Sequence, residues 1–384
     1  MEYKYLKMSF EEVKDFMSTH TLELKSIVHK GFSNEQMLDY IKTNYDKIEC
    51  RPLYYYGDTI SAILIEEMID DKKVVSYLNS VFDEKQSVKN VLVLGANGQL
   101  GQAVRAASAN AKNKFVFSDV NTGDDNELVN IDITSMQSLR DIVQREKINV
   151  IVNCAAYTNV EKAEDDIVNA RKLNKDAVKN IATVAKENNA TLIHISTDFV
   201  YDGKKAAPYL ETDEKNPINV YAQTKYEGEQ EMIKSGCKYI LFRTAWMFSP
   251  YGNNFMKTMI RLTSERDRLN VVYDQVGTPT YAPELAKLIV KVIEENMVYL
   301  TGEYNYTNEG SVSWYDFAVA INRACGNHCD IVPVSSQEYG SKVKRPSFSV
   351  LDKSKVKKTF GIVIPHWLDS LDESITIYNN QNNV

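Results

Sequence analysis

"NVLVLGANGQLGQAV", residues 90–104, decides the fold. Val91–Leu94 is a continuous apolar run, the mark of a short strand buried on both faces. Gly95, Gly98 and Gly101 follow at once, and "GQLGQAVRAASA" then reads as a helix. A strand, a glycine-rich turn and a helix in that order make a site for a pyrophosphate. The turn lets the backbone come close, and the helix N-terminus offers free N–H groups and a positive dipole end. Asp119 closes a second strand, "KFVFSDV", 18 residues beyond Gly101, where an acid hydrogen-bonds adenosine ribose hydroxyls. Its charge would face a 2′-phosphate, and no arginine follows it directly, so the position favours NADH over NADPH.

Outward from this unit the alternation continues. "SMQSLRDIVQRE" is a helix, "NVIVNCAA" a third strand, and "DIVNARKLNKDAVKNIATVAKENN" one long helix. Ile167, Ala170, Leu173, Ala177, Ile181 and Val184 form the apolar stripe of that helix. "TLIHIST" is a fourth strand and "KYILFRTAW" a fifth, with a helix from Tyr221 between them. Strands alternating with helices predict an α/β fold, a Rossmann-type doubly wound parallel sheet over residues 89–246. After Trp246 the alternation loosens, which predicts a smaller, mainly substrate-binding domain over 247–384.

Residues 1–88 have a different texture. They read as mostly helical, for example in "NEQMLDYIKTNYDKI" after Ser33 and in "TISAILIEEMI". They hold 11 basic and 16 acidic residues, so five of the chain's seven net negative charges lie there. They carry no chemical motif, and "DEKQSVK" (83–89) reads as a linker. This predicts a separate helical extension.

The net charge of −7 argues against a nucleic-acid polymer as partner. The N-terminus lacks a secretory signal pattern, and no run of about 18 apolar residues occurs, so no membrane span is expected. Five cysteines, an odd and sparse set among 384 residues, favour a reducing, cytoplasmic setting. Cys325-x-x-His328-Cys329 offers only three adjacent ligands and reads as ordinary thiols near a helix end; no metal is expected.

Two further motifs bear on chemistry. "HISTDFVYDG" (194–203) puts Ser196, Thr197 and Asp198 at the carboxyl end of the fourth strand, the edge where open parallel sheets bind ligands. "NVYAQTKYEGE" (219–229) contains Tyr221-x-x-x-Lys225, a spacing that puts both side chains on one helix face. A phenol with a pKa of about 10 is a poor acid–base group at neutral pH. A nearby ammonium favours the phenolate and moves that pKa toward working pH. Alone, such a pair is an exposed helix face. Behind a dinucleotide loop and a Ser-Thr strand end, it reads as a proton-transfer pair.

Together these motifs resemble the extended short-chain dehydrogenase/reductase superfamily. Within it the chain is similar, over about residues 89–375, to the dTDP-4-dehydrorhamnose reductase family. The segments that carry the likeness are "LGANGQLG", "VNCAAYTNVEKAE", "ISTDFVYDG", "PINVYAQTKYEGE", "FRTAWMF", "GNNFMKTM", "DQVGTPT", "SWYDFA" and "KRPSFSVLD". The resemblance implies that NADPH or NADH reduces the C4 ketone of dTDP-4-dehydro-L-rhamnose and that Tyr221 gives the proton. It implies that Lys225 holds the nicotinamide ribose and lowers the Tyr221 pKa, while Thr197 bonds the substrate oxygen. Gly98, Gln99, Leu100, Asp119, Asp132, Ile133, Cys154, Ala155 and Ala156 would line the cofactor beside Gly95 and Gly101. Asp198 and Trp246 would contact the sugar nucleotide, and Arg345 its diphosphate, which suits a planar double donor.

Two departures stand out. Family members begin at the first strand, whereas 88 residues precede it here; a fused β-barrel epimerase does not fit a helical segment of that length. Some members carry an acidic residue two places after the third glycine that supports a magnesium-bridged dimer, and this chain has Ala103. Three alternatives stay open: another sugar-nucleotide reductase, an epimerase, and a non-catalytic, cofactor-binding regulatory subunit of the same fold. A homodimer and a protein partner met through residues 1–88 are open as well.

Overall fold

The computed structural model describes Leu53–Tyr54, Leu64–Ile65, and residues 88–298 and 300–382. The expected helices before Val88 lie almost wholly outside these residues. Where the extension is described, β1 (Leu53–Tyr54) pairs antiparallel with β2 (Leu64–Ile65). Leu64 and Ile65 lie within "TISAILIEEMI", and the rest of that run is outside the described residues. A short apolar run rich in Ile and Leu suits either period, and periodicity alone does not separate them.

The body of the protein begins at Lys89 and forms its own compact unit, Lys89–Lys357 with Ile362–Val384. Its first strand, β3 (Asn90–Leu94), has Val91, Leu92, Val93 and Leu94 fully buried. Burying each such side chain contributes about 1.5–3 kcal/mol, which explains the unbroken apolar run. The glycine turn leads into α1 (Gln99–Ala107), then β4 (Lys114–Asp119) and β5 (Leu128–Asn130). After α2 (Met136–Arg145) come β6 (Val150–Asn153) and α3 (Val160–Asp165). β7 (Thr191–Thr197) and β8 (Lys238–Thr244) complete the strands expected from the sequence, and β9 (Met247–Phe248), β10 (Arg268–Val272), β11 (Val276–Gly277), β12 (Thr280–Tyr281), β13 (Gly302–Asn305) and β14 (Val312–Ser313) follow.

All pairings in the main sheet are parallel, in the order β13-β8-β7-β6-β3-β4-β5, where β13 is Gly302–Asn305. The order reverses between β3 and β6. At such a switch point the loops diverge and leave a crevice at the carboxyl ends of the strands. The chain beyond Trp246 returns to this sheet. It supplies β13, and the helix Ala282–Glu294 packs against α1. Neither β5, three residues long, nor β13 stands out in the sequence.

The long helix is not regular. α4 (Ile167–Arg171) and α5 (Ala177–Glu187) are joined by a π-helical turn, Lys172–Asp176. Ile167, the first residue of the expected stripe, is exposed. The turn carries the buried side chain of Asn174. Its amide oxygen accepts from Tyr157 N at 2.8 Å, and its nitrogen donates to Tyr157 O at 3.0 Å and Thr224 Oγ1 at 3.1 Å. A π turn lets one polar side chain face inward without ending the helix. Thr224 lies on α6 (Val220–Ser235), so Asn174 ties this region to the helix that carries Tyr221 and Lys225.

Candidate active site

One cavity of about 850 Å³ opens at the carboxyl edge of the sheet. That is ample for a dinucleotide-sized or drug-sized ligand, for which pockets of about 300–1,000 Å³ are usual. Every site residue expected from the sequence lines it except Gly101. Gly101 works from behind: a Cβ there would sit 2.2 Å from Gly95 O, so its lack of a side chain lets α1 pack onto the turn. Gly95 has φ +77°, and a Cβ would meet Ala155 N at 2.7 Å. The turn thus lies flat against the end of β6. Gly98 caps α1 without any side-chain acceptor, leaving the first-turn amides for an anion. These features fit a bound nicotinamide dinucleotide.

Asp119 ends β4 beside the turn. Its carboxylate accepts from Asn97 N at 3.0 Å and Asn121 N at 3.1 Å, which fixes it at the rim. Asp132 accepts from Thr134 N and Thr134 Oγ1, both at 2.8 Å, and these bonds hold its carboxyl below the usual range. Ile133, Ala155 and Ala156 add apolar wall. Burial pushes the Cys154 thiol up to about 12, so it is an inert neutral thiol. Gln99 lines the cavity too, but its side chain serves the structure. Its Oε1 accepts from Ser249 Oγ at 2.9 Å and Asn254 Nδ2 at 3.1 Å, tying the glycine loop to the loop after β8.

Thr197, Tyr221 and Lys225 meet on the opposite wall. Asn219 caps α6 by accepting from Ala222 N at 2.8 Å, and Glu164 Oε1 accepts from Val220 N at 2.8 Å. Tyr221, in the first turn, is therefore held from both sides. Thr197 stands beside the Tyr221 phenol, and its Oγ1 donates to Asp198 Oδ1 at 3.1 Å. Burial pushes the Tyr221 phenol up to about 12; Thr197 pulls it down and the Asp198 charge pushes it further up. The lowering expected from Lys225 does not prevail, and the cause is geometric. Lys225 Nζ donates to the Ile195 carbonyl at 2.6 Å, and burial draws Lys225 itself down to about 8. At neutral pH the phenol keeps its proton.

Asp198 is 2% exposed, and its Oδ2 has no hydrogen-bond partner. Burial raises its pKa to about 7, against bonds from Ser349 and Thr197 that lower it. Trp246 lies just past β8 with φ +45°, a left-handed backbone unusual for a bulky residue. Arg345 Nη2 donates to Glu161 Oε1 at 2.6 Å, while its Nε is buried without a partner. The sequence reading did not assign Glu161, Asn254, Phe199 or Trp314. The last three line the cavity and lie in the quoted segments "GNNF", "STDF" and "SWYDFA", whose similarity was the available signal. Cys325 ends the helix Trp314–Ala324, and among the described residues no group of His, Cys, Asp and Glu could hold a metal ion. No described helix is long and apolar enough to cross a membrane.

A glycine turn at the switch point of a parallel sheet, facing a Thr, Tyr and Lys across one cavity, defines a dinucleotide-binding protein of the short-chain dehydrogenase/reductase class. The RmlD substrate binding domain family matches residues 89–380. The dTDP-4-dehydrorhamnose reductase of Aggregatibacter actinomycetemcomitans is 37% identical over 291 residues, 73% of this chain and 96% of that protein. The chain belongs to the dTDP-4-dehydrorhamnose reductase family. Among solved structures, the Clostridium acetobutylicum reductase is 38% identical and covers 75% of this chain and 99% of its own, with a TM-score of 0.70. The Bacillus anthracis reductase, solved in complex with NADP, is 34% identical with a TM-score of 0.71 and covers 76% of this chain and 100% of its own.

Proposed function

We propose that this protein reduces the C4 ketone of dTDP-4-dehydro-L-rhamnose, with NADPH or NADH as hydride source and Tyr221 as proton donor. The observation that carries the reading is the desolvated, protonated Tyr221 phenol, beside Thr197 and sharing one cavity with the glycine turn. A bound nicotinamide would supply the hydride. Tyr221 gives its proton to the oxygen that gains charge, and Thr197 steadies both. Lys225, at about 8 without cofactor, has an ammonium available for the ribose hydroxyls and for the phenolate left behind. Asp198, Trp246 and Arg345 hold the sugar nucleotide, with the Arg345 Nε as an unused donor for a phosphate oxygen.

On this reading residues 89–246 mainly bind the dinucleotide and 247–384 mainly the sugar nucleotide. The motifs for cofactor, proton transfer and substrate all lie beyond residue 94. We assign residues 1–88 to assembly, as a homodimer contact or a docking segment for a protein partner. The free thiols of Cys154, Cys237, Cys325 and Cys329 suit work in the cytoplasm.

Replacing Tyr221 by Phe tests the assignment. General acid catalysis commonly contributes about 10²–10⁴-fold, so turnover of dTDP-4-dehydro-L-rhamnose should fall in that range. Binding of NADPH, followed by its fluorescence, should stay near the wild-type level. Undiminished turnover would remove Tyr221 from the chemistry. A wild-type chain that binds NADPH but never turns over would favour a regulatory subunit.

A further inference from the structure

Trp246 is held in place by more than its own segment. Its ring stacks on Trp314 with centroids 3.6 Å apart and planes 11° from parallel. Trp314 is backed in turn by Phe255, at 4.6 Å and 51°. Over the opposite face of the Trp246 indole lies Gly277, so the ring is sandwiched between Trp314 and the Gly277 backbone. A Cβ at that position would meet Trp246 Cε2 at 2.7 Å and Cζ2 at 2.8 Å.

These neighbours come from separate elements brought together by a small ladder. β11 (Val276–Gly277) pairs antiparallel with β14 (Val312–Ser313), with Gly277 opposite Val312. Ser313 then starts the helix Trp314–Ala324 through a capping box with Asp316, which fixes Trp314 as the first helical residue. The Trp246 carbonyl accepts from Thr280 N at 3.2 Å, so its backbone is pinned as well. A bulky residue keeps φ +45° only where its surroundings over-determine it, and such strain concentrates at ligand clamps.

Both indoles line the cavity. Phe255 follows Asn254, whose side chain bonds Gln99 of the glycine loop. One chain of contacts thus runs from the cofactor turn to the Trp246 face.

We propose that Trp314 and Gly277 are positioning residues: they clamp the strained Trp246 indole as a rigid wall for the sugar of the nucleotide substrate. With both faces covered, the indole offers its edge to the cavity as an apolar wall beside the deoxysugar, and fixing the ring in advance removes the cost of ordering it on binding. The inference rests on the reading above that Trp246 faces the sugar nucleotide.

The test uses the full chain and the variants Trp314→Leu, Trp314→Phe and Gly277→Ala. The chain has three tryptophans, so the stacked pair should dominate any exciton couplet in the far-ultraviolet circular dichroism. Trp314→Leu should abolish the couplet and raise KM for the dTDP-sugar on the order of tenfold or more, with a smaller fall in kcat, since small misplacements near a reacting centre cost up to about 10²-fold. Trp314→Phe loses the couplet but keeps an aromatic ring behind Trp246, and so should restore most of the KM. Gly277→Ala should weaken the couplet and raise the same KM. KM for NADPH should stay within about twofold in all three, because the dinucleotide end of the cavity is untouched.

A wild-type spectrum without a couplet overturns the proposal. So does a sugar-nucleotide KM that stays at the wild-type value in Gly277→Ala or Trp314→Leu. Failure of the wild-type chain to reduce the dTDP-sugar refutes the reductase reading instead. The couplet needs no substrate, and its persistence in Gly277→Ala would overturn the clamp independently. Should Trp314→Leu fail to fold, Gly277→Ala, which deletes no packed side chain, decides.

Discussion

Replacing Asp198 by Asn should stabilise the protein, and more so as pH rises. The carboxyl is 2% exposed and its Oδ2 has no partner. Burial lifts its pKa from the usual 3.8 to about 7. The folded chain therefore binds this proton more tightly than the unfolded chain. Stability from this group is fully present below 3.8 and is lost as pH rises to about 7. At about 1.4 kcal/mol per pKa unit, the loss approaches roughly 4 kcal/mol at about pH 8 and roughly 1.5 kcal/mol at about pH 5. Asn carries no charge to desolvate and escapes this loss. Urea unfolding of wild type and Asp198→Asn at both pH values reads the difference. The advantage of Asn should widen by at least about 1 kcal/mol from the lower to the higher pH. An equal gap at both values would mean that the Asp198 carboxylate is hydrated in solution, and the account of its pKa would fail.

Asp119→Ala should shift the ratio of kcat/KM toward NADPH, because the carboxylate at the rim of the dinucleotide end would face a 2′-phosphate. An unchanged ratio in steady-state assays with both cofactors would show that Asp119 does not meet the ribose. A chain starting at Val88 should fold and keep its kcat, since the sheet has its own first strand at Asn90–Leu94 and, among the described residues, those that line the cavity lie at or beyond Gly95. Soluble truncated protein with kcat reduced by about tenfold or more, about 1.4 kcal/mol of barrier, would make the extension part of the active site.

The strands of the dinucleotide half were legible because local sequence dictates them. "NVLVL" and "TLIHIST" are apolar without alternation, and only a strand covered on both faces accommodates that. The glycine turn, Thr197, Tyr221 and Lys225 were legible for a related reason: their chemistry demands particular residue types at short spacings. β5 is too short to show a period, and β13 becomes a strand only because β8 offers an open edge. The π turn at Lys172–Asp176 carries Asn174, whose partners lie as far away as Thr224.

The sequence by itself named the candidate residues for the chemistry, and tertiary structure decided the state in which they stand. No spacing rule reveals that Lys225 turns to the Ile195 carbonyl or that Tyr221 is pushed up rather than down. Both depend on how much water the closed fold excludes. Likewise Arg345 finds Glu161 across 184 residues, and Trp246 keeps a left-handed backbone only between Trp314 and Gly277. Periodicity and turn chemistry act over a few residues and can be read along the chain, whereas desolvation and clamping arise only when distant segments share one interior.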